Sequence, residues 1–492
     1  MYHKSTRQIR ISDDFFLPFG GKLNKENRWV KLEGIIPWWE LEDRYAKSFK
    51  PTNKGEKALS VRIALGSLII QTMLHLTDRE TVNQIMENPY LQYFIGFDRY
   101  EDRIPPFDAS LMVSFRKRLS SDVLIEINEL IAKGALEEEN KESRKDKDEP
   151  PTDSERNEDQ FEDKEHQGQL ILDATCAPGD IHYPTDVRLL NEAREKLEEI
   201  IDILHEPDIG KAVKPRTYRQ EARKNYLSLE KQRKKHKKAI HKVIRRQLGY
   251  MSRDLRNIDT YLEDSQRILL LSRRQRENLQ TIRILYKQQE TMYRTKTHKV
   301  ENRIVSISQP HLRPIVRGKA GADVEFGCKV LTSLVNGYSF VERMSFDSFN
   351  EGGFLIEAVE NYKERFGFYP ESVMADTIFR NRGNLAWLKK NGIRISGPKL
   401  GRPAKSLEKA QKLQEKLDSG IRNAIEGSYG NAKRKYGLAR IKTKLAETTE
   451  SSIVLQFLVL NLARRLRVLL PHFIWLLSKC FFKPKYVCFL NC

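Results

Sequence analysis

The sequence is poor in cysteine, with five among its 492 residues, at positions 176, 328, 480, 488 and 492. An odd number without the paired spacing of a zinc site argues against both a disulfide framework and a structural zinc site. Proteins of reducing compartments use cysteine in this way. The sequence therefore predicts an intracellular protein whose fold depends on its hydrophobic core.

Long uninterrupted apolar runs are also missing. The N-terminal stretch MYHKSTRQIRISDD carries charges where a signal peptide needs an apolar segment. The most apolar late stretch, residues 453–477, is interrupted by five residues that a membrane span disfavours, namely Asn461, Arg464, Arg465, Arg467 and Pro471. We expect no membrane span, and a soluble protein located in the cytoplasm.

Acidic residues are in deficit. The chain has 87 Lys and Arg against 67 Asp and Glu, which gives a net charge of +20 and a pI of about 9.5. Such a surplus attracts polyanions over long distances but does not determine a fold. Ribosomal proteins, nucleases and proteins of membrane surfaces are all compatible with it, and nucleic acid is the favoured partner.

The pattern along the chain predicts an all-helical N-terminal domain over residues 1–136, followed by a linker. Thr77 and Glu80 form a capping-box signature, Asn88-Pro89 ends that helix, and a later helix carries Arg116 and Arg118. Residues 137–168 contain almost no apolar side chains and cannot offset the entropy of ordering. We predict that they form a disordered, charged linker.

The rest of the chain predicts a mixed α/β domain over residues 169–445. Residues 211–303 are dominated by Lys and Arg at helical apolar spacing, which indicates a basic helical insertion. After residue 303, segments rich in Val, Ile and Phe alternate with turn signals such as Asn336-Gly337, which predicts strands and a hairpin. Residues 446–492 are interpreted as a C-terminal helix with an atypical tail.

Two predicted apolar strands are each followed by an aspartate. The stretch LILDATCAPGDIHYPTD places Asp173 directly after Leu170–Leu172, and VMADT places Asp376 after another apolar run. Each aspartate alone is explained by an Asx-type turn. Together in one α/β domain they suggest a shared site, because ligands of open α/β sheets gather beyond the ends of strands.

A third acid stands on the predicted helix RNAIEGSYGNAKRKYG. Arg422, Glu426, Tyr429 and Lys433 lie at offsets of 0, 4, 7 and 11 residues, so they point within about 60° of one another. Glu426 alone is explained by an i,i+4 pair with Arg422 on a surface helix. With both aspartates it completes a trio of carboxylates whose mutual repulsion a divalent cation such as Mg²⁺ or Mn²⁺ would relieve. Two such ions support phosphoryl transfer.

This arrangement resembles the DDE transposases of bacterial insertion sequences, in the group with a Tyr-x2-Arg-x3-Glu-x6-Lys signature. Arg422, Glu426 and Lys433 match the last three signature positions, and Ser419 occupies the Tyr position. DATCAPGDIHYPTD and MADTIFRNRGNLAWLKKNGI are similar to the two aspartate blocks. LTDRETVNQIMENPYLQYFIGF and PPFDASLMVSFRKRL are similar to the N-terminal helical domain.

The resemblance implies a ribonuclease-H-like catalytic domain with a basic helical insertion, preceded by the all-helical N-terminal domain. It implies that Asp173, Asp376 and Glu426 bind two Mg²⁺ or Mn²⁺ ions and catalyse cleavage at the element's ends. The freed 3′-hydroxyl then attacks target DNA. It further implies double-stranded DNA as partner, a homodimer in the DNA complex and association with the nucleoid.

The DNA contacts are hypotheses that rest on charge. By resemblance, Arg422 and Lys433 contact DNA near the scissile phosphate, and Tyr429 is a weaker candidate for the same surface. We expect further contacts from the N-terminal domain and the insertion, at Arg116, Arg118, Lys234, Lys235, Arg245 and Arg246. The alternatives are dimerisation alone for the N-terminal domain and a solvated helical hairpin for the insertion.

Two other functions fit the same residues. A structure-selective nuclease would use the same two-metal site without strand transfer. A non-enzymatic nucleic-acid-binding scaffold would need the positive charge alone, and Asp173→Asn would then change no activity.

Overall fold

The computed structural model describes residues 2, 4, 11–18, 20–49, 57–145, 166–319, 322–398 and 409–481. In these ranges the chain is a mixed α/β protein, mostly helical, with one six-stranded sheet. Most of the predicted linker and the tail from residue 482 lie outside the described residues. None of the described helices is long and apolar enough to span a membrane.

Helices form both ends of the described chain. The first seven are α1 (Arg28–Ile35), α2 (Trp38–Lys47), α3 (Val61–Leu74), α4 (Asp78–Glu87), α5 (Pro89–Phe94), α6 (Leu111–Arg118) and α7 (Ser121–Lys145). The predicted capping box of Thr77 and Glu80 is confirmed at the start of α4, and Pro89 opens α5. The predicted boundary at 137 is wrong, because α7 continues to Lys145.

The sheet has six strands, of which the first is separated along the chain from the other five. They are β1 (Gln169–Pro178), β2 (Arg313–Lys319), β3 (Ala322–Val335), β4 (Tyr338–Ser345), β5 (Ser372–Ala375) and β6 (Arg394–Ile395). The order is β2-β3-β1-β5-β6, and β4 also pairs with β3. β1 is therefore central, antiparallel to β3 and parallel to β5. The predicted hairpin is confirmed, since Asn336 and Gly337 both have positive φ between β3 and β4.

Four helices separate β1 from β2. They are α8 (Asp186–His205), α9 (Arg219–Glu230), α10 (Lys237–Leu262) and α11 (Arg273–Thr295). Leucines and isoleucines of α8, α10 and α11 share one buried cluster, so α8 packs within this helical body. An ion pair between Asp186 and Arg303, 2.7 Å long, joins its two ends. The insertion therefore begins at α8, earlier than the predicted residue 211. Residues 303–312, predicted as strand, form none, and β2 begins at Arg313.

The remaining helices cover the sheet. They are α12 (Leu355–Phe366), α13 (Arg382–Lys390), α14 (Lys409–Lys435) and α15 (Ala446–Phe481). Residues of α12 and α13 pack against Leu170 and Leu172, on one face of the sheet. Residues of α14 and α15 pack against Ile171 and Met374, on the other face.

The last helix, α15, also belongs to the N-terminal core. Val454, Leu455, Leu458, Val459 and Leu462 are buried with the side chains of α1 to α7. Ile453, Phe457 and Leu460 of the same helix contact the sheet cluster. The two ends of the chain thus meet in one hydrophobic core, with α15 between the helical bundle and the sheet.

Candidate active site

Asp173 lies in the middle of β1, since the strand continues through Pro178. This corrects the prediction that the aspartate ends its strand. The parallel partner β5 does end there: Leu172 is in register with Ala375, and Asp376 follows directly. Beyond Leu172, β1 is no longer paired with β5, and Asp173 is the first residue of β1 after that pairing ends.

The alternation of side chains places both aspartates on one face. Ile171 and Met374 contact the cluster under α14, whereas Leu172 and Ala375 belong to the cluster on the opposite face. Because successive strand side chains point to opposite faces, Asp173 and Asp376 are directed toward α14. Adjacent strands lie about 4.8 Å apart, so the two carboxylates are close neighbours.

Burial makes Asp173 unusual. Desolvation raises the pKa of its carboxyl to about 6, and the negative charges of Glu351 and Asp376 add to the rise. A backbone N–H and the guanidinium of Arg422 act in the opposite direction. The site therefore holds a carboxylate that lacks sufficient positive charge around it, as expected where a cation binds.

Asp376 is held differently. Its side chain is 54% exposed and accepts a hydrogen bond from the backbone N–H of Thr377, which starts a short 3₁₀ turn. Arg422 of α14 forms an ion pair with it at 3.1 Å. Arg422, the first residue of the predicted helix face, therefore contacts the second aspartate.

Tyr429 reaches the first aspartate. Its hydroxyl donates to the backbone carbonyl of Asp173 at 2.7 Å and lies 2.7 Å from the hydroxyl of Thr332 on β3. The side chain is only 7% exposed. The predicted DNA contact for Tyr429 is therefore corrected: α14 lies so close to β1 that this residue fastens the helix to the strand.

Glu426 lies on α14 between Arg422 and Tyr429, and its residue is exposed. In the part of the chain that the structure describes, no three His, Cys, Asp or Glu side chains form a group that could hold a metal ion. The structure thus brings Asp173 and Asp376 together as a pair and does not group Glu426 of α14 with them.

Glu351, which the sequence analysis missed, is a further acid near Asp173. It contributes to the raised pKa of Asp173 and pairs with the buried Lys329 at 2.8 Å. It opens a short 3₁₀ turn whose Gly352 carbonyl accepts hydrogen bonds from Asn381 and Asn384. These contacts join it to the segment after Asp376. Only the sheet brings it there, so no local sequence signal marks it.

Two stretches of the chain match families of known proteins. Residues 373–463, from β5 through most of α15, match the family described as a transposase DDE domain. Residues 18–118 match the family described as a transposase domain (DUF772). Two separate stretches of the chain thus match transposase domain families.

One relative of this chain is the uncharacterized protein ORF8 in the nfe locus of Rhizobium meliloti. The two are 29% identical over 175 residues, which is 36% of this chain and 73% of the relative. No solved structure matches the chain. The matched DDE domain family consists of metal-dependent polynucleotidyl transferases, and transposases act on DNA.

The DNA contacts predicted for the bundle and the insertion fall into two groups. Arg116 pairs with Asp78 and donates to Gln71, and Arg118 lies over the ring of Phe49. These two arginines stabilise the helical bundle, which differs from the prediction of DNA contacts. The residues of the insertion are exposed, namely Lys234, Lys235, Arg245 and Arg246.

Proposed function

We propose that this chain is a transposase, which cuts DNA at the ends of an insertion sequence and joins the freed 3′-hydroxyl to target DNA. The observation that carries the proposal is the register of β1 and β5, which sets Asp173 and Asp376 side by side under α14. The chain would hydrolyse one phosphodiester and then direct the new hydroxyl at a second. Both steps are in-line displacements at phosphorus and can use one set of carboxylates.

The fold supports a ribonuclease-H-like catalytic domain. The expected features are a first aspartate on a central strand, a second after a neighbouring strand and a glutamate on a later helix. Asp173 on β1, Asp376 after β5 and Glu426 on α14 have this arrangement. The insertion of α8 to α11 separates β1 from the rest of the sheet and accounts for the long interval between the aspartates.

The donor set fits a divalent cation. Asp173 is a half-buried carboxylate whose pKa is raised by desolvation and, to a smaller extent, by its negative neighbours, and oxygen ligands of this kind suit Mg²⁺ or Mn²⁺. Asp173 and Asp376 would hold the metal, with Glu426 as the third ligand from α14. Bound ions, two in our proposal, would activate the attacking oxygen and stabilise the leaving one.

The remaining residues position these acids and the DNA. Tyr429 fixes the backbone of Asp173, and Arg422 orients Asp376 until a phosphate competes for its guanidinium. Lys433, one turn beyond Tyr429 on α14, would contact the DNA backbone next to the scissile phosphate. Arg422 and Lys433 thus flank Glu426 on the helix.

The test uses linear DNA that carries the ends of the element encoding this chain, with Mg²⁺ or Mn²⁺. Asp173→Asn, Asp376→Asn and Glu426→Gln should each abolish cleavage and joining while DNA binding persists. Glu364→Gln is the matched control, since Glu364 is exposed on α12, across the sheet. Retained cleavage in Glu426→Gln would remove the third acid from the site.

Pre-cut ends with free 3′-hydroxyls separate the proposal from its rivals. Joined products support a transposase, whereas cleavage of branched DNA without joining would indicate a structure-selective nuclease. A non-enzymatic scaffold would show neither reaction, and Asp173→Asn would behave as the wild type.

A further inference from the structure

The chain crosses the end of β1 directly after α14. Ile441 donates its backbone N–H to the carbonyl of Pro178 at 2.8 Å and accepts from the N–H of Asp180 at 2.9 Å. Its side chain is buried among residues of β1, β3 and α14. The segment after the catalytic helix is therefore fixed to the strand that carries Asp173.

This pairing directs basic side chains outward. Arg440 and Lys442 flank the buried Ile441, and Lys444 follows two residues later; all three are exposed. Neighbours of an inward residue in a paired segment project to the opposite side. We call Arg440, Lys442 and Lys444 the basic ridge.

Two clefts lie on either side of the basic ridge. A cleft of about 870 Å³ separates it from the helical insertion and is lined by Arg440 and Lys444 together with Arg188 and Arg223. A second cleft, of about 650 Å³, is lined by all three ridge residues and by Arg79 of the N-terminal bundle. Both clefts therefore present cations from two bodies of the protein.

The acids that line the clefts are already engaged. Asp180 pairs with Arg440 at 2.7 Å, and Glu195 lies 3.3 Å from the guanidinium of Arg194. Glu192 lies 3.8 Å from the ammonium of Lys196, and Asp78 is bound by Arg116. Within the described ranges, Lys444 and Arg223 have no ion pair. The clefts thus keep a surplus of positive charge that an anionic polymer can use.

We infer that the basic ridge binds the sugar-phosphate backbone of DNA beyond the acid site, with the duplex lying across the two clefts. This rests on the proposed function, which supplies the DNA. Pro178 lies five positions beyond Asp173, or about 17 Å along β1. At about 3.4 Å per base pair, the ridge meets DNA about five base pairs from the scissile phosphate.

The experiment measures binding of the full chain to a 30-base-pair duplex of arbitrary sequence, because phosphate contacts do not depend on sequence. Fluorescence anisotropy over a range of salt concentrations compares the wild type with Lys442→Gln/Lys444→Gln. We expect affinity to fall at least tenfold, and the slope of log affinity against log salt to become shallower by up to about 1.8.

The matched control is Lys389→Gln/Lys390→Gln. These exposed lysines end α13, which runs back from the acid site to the start of β6 at the opposite end of the sheet. The control should bind within twofold of the wild type. Equal losses in the two double variants, or none in either, would overturn the inference.

Chemical acetylation gives a second readout that does not depend on variants. Bound duplex should protect Lys442 and Lys444 of the wild type but leave Lys389 and Lys390 reactive, as measured by mass spectrometry. Equal reactivity with and without DNA would count against the ridge. Asp376→Asn separates the two proposals: cleavage by this variant would refute the proposed chemistry, and ridge binding would be unaffected.

Discussion

Asp173 destabilises the folded chain when it is ionised. Burial beside other acids raises the pKa of Asp173 to about 6, from 3.8 in an exposed carboxyl. Folding therefore favours the protonated form. The protonated carboxyl of Asp173 therefore makes its full contribution to the stability of the fold below about pH 4. This contribution is lost as the pH rises through 6.

Asp173→Asn should therefore stabilise the protein at pH 8, by up to about 3 kcal/mol, and make no difference near pH 4. Asp376→Asn is the control, because that side chain is half exposed and an amide can still cap the following turn. Urea unfolding at the two pH values measures both variants. Equal stabilities of wild type and Asp173→Asn at pH 8 would contradict the burial argument.

Tyr429 distinguishes a packing role from a DNA contact. Tyr429→Phe removes the hydrogen bonds to Asp173 and Thr332, so we expect a loss of about 1–2 kcal/mol in stability and slower cleavage. DNA affinity should not change, because the ring is buried. Tyr183→Phe is the control for stability, since that side chain is 70% exposed. Weaker DNA binding with unchanged stability would instead indicate that Tyr429 contacts DNA.

The elements differ in how far the sequence could predict them. The helical spacing on α14 correctly grouped Arg422 with Tyr429, because 3.6-residue periodicity is a local property. The same spacing could not show that Tyr429 faces a strand. Nor could it show that β1 continues past Asp173, since that extension depends on pairing with β3, about 150 residues away.

The sequence also did not indicate which elements the helices pack against. The apolar face of α8 was visible, but its packing on α10 and α11 is a tertiary choice that an amphipathic pattern does not specify. The apolar residues of α15 were recognised as helical, and their place in the N-terminal core was not predicted. The strand and helix patterns indicated the three acids, whereas Glu351 became visible only in the folded sheet.

The position of α15 makes a prediction at the scale of the element. Phe457 contacts the sheet cluster and Leu458 the N-terminal cluster, and neither is exposed. Phe457→Ala and Leu458→Ala should each cost about 3–5 kcal/mol and lower the stability of both regions together. Hydrogen exchange in α3 and in β3 measures this coupling. Loosening of only one region by each variant would show that α15 does not connect them.

At the scale of the whole molecule, the positive charge is concentrated in the insertion. Residues 186–303 contain 30 Lys and Arg against 17 Asp and Glu, so 30 − 17 gives +13 of the total +20. This helical body has its own buried cluster and joins the sheet at the end of β1. Arg188 and Arg223 of this helical body are exposed and line one cleft together with Arg440 and Lys444 of the basic ridge. We therefore expect the insertion and the basic ridge to hold the same duplex.

The insertion should therefore supply affinity and leave the chemistry unchanged. A variant with Lys234, Lys235, Arg245 and Arg246 all changed to Gln should flatten the salt dependence of DNA binding by up to about 3.6 in slope. Cleavage at saturating protein should keep its rate, because the acids under α14 are untouched. Lys389→Gln/Lys390→Gln again controls for charge loss elsewhere. A slower rate at saturation would instead place the insertion at the scissile phosphate, and an unchanged salt slope would leave these four residues as a solvated surface.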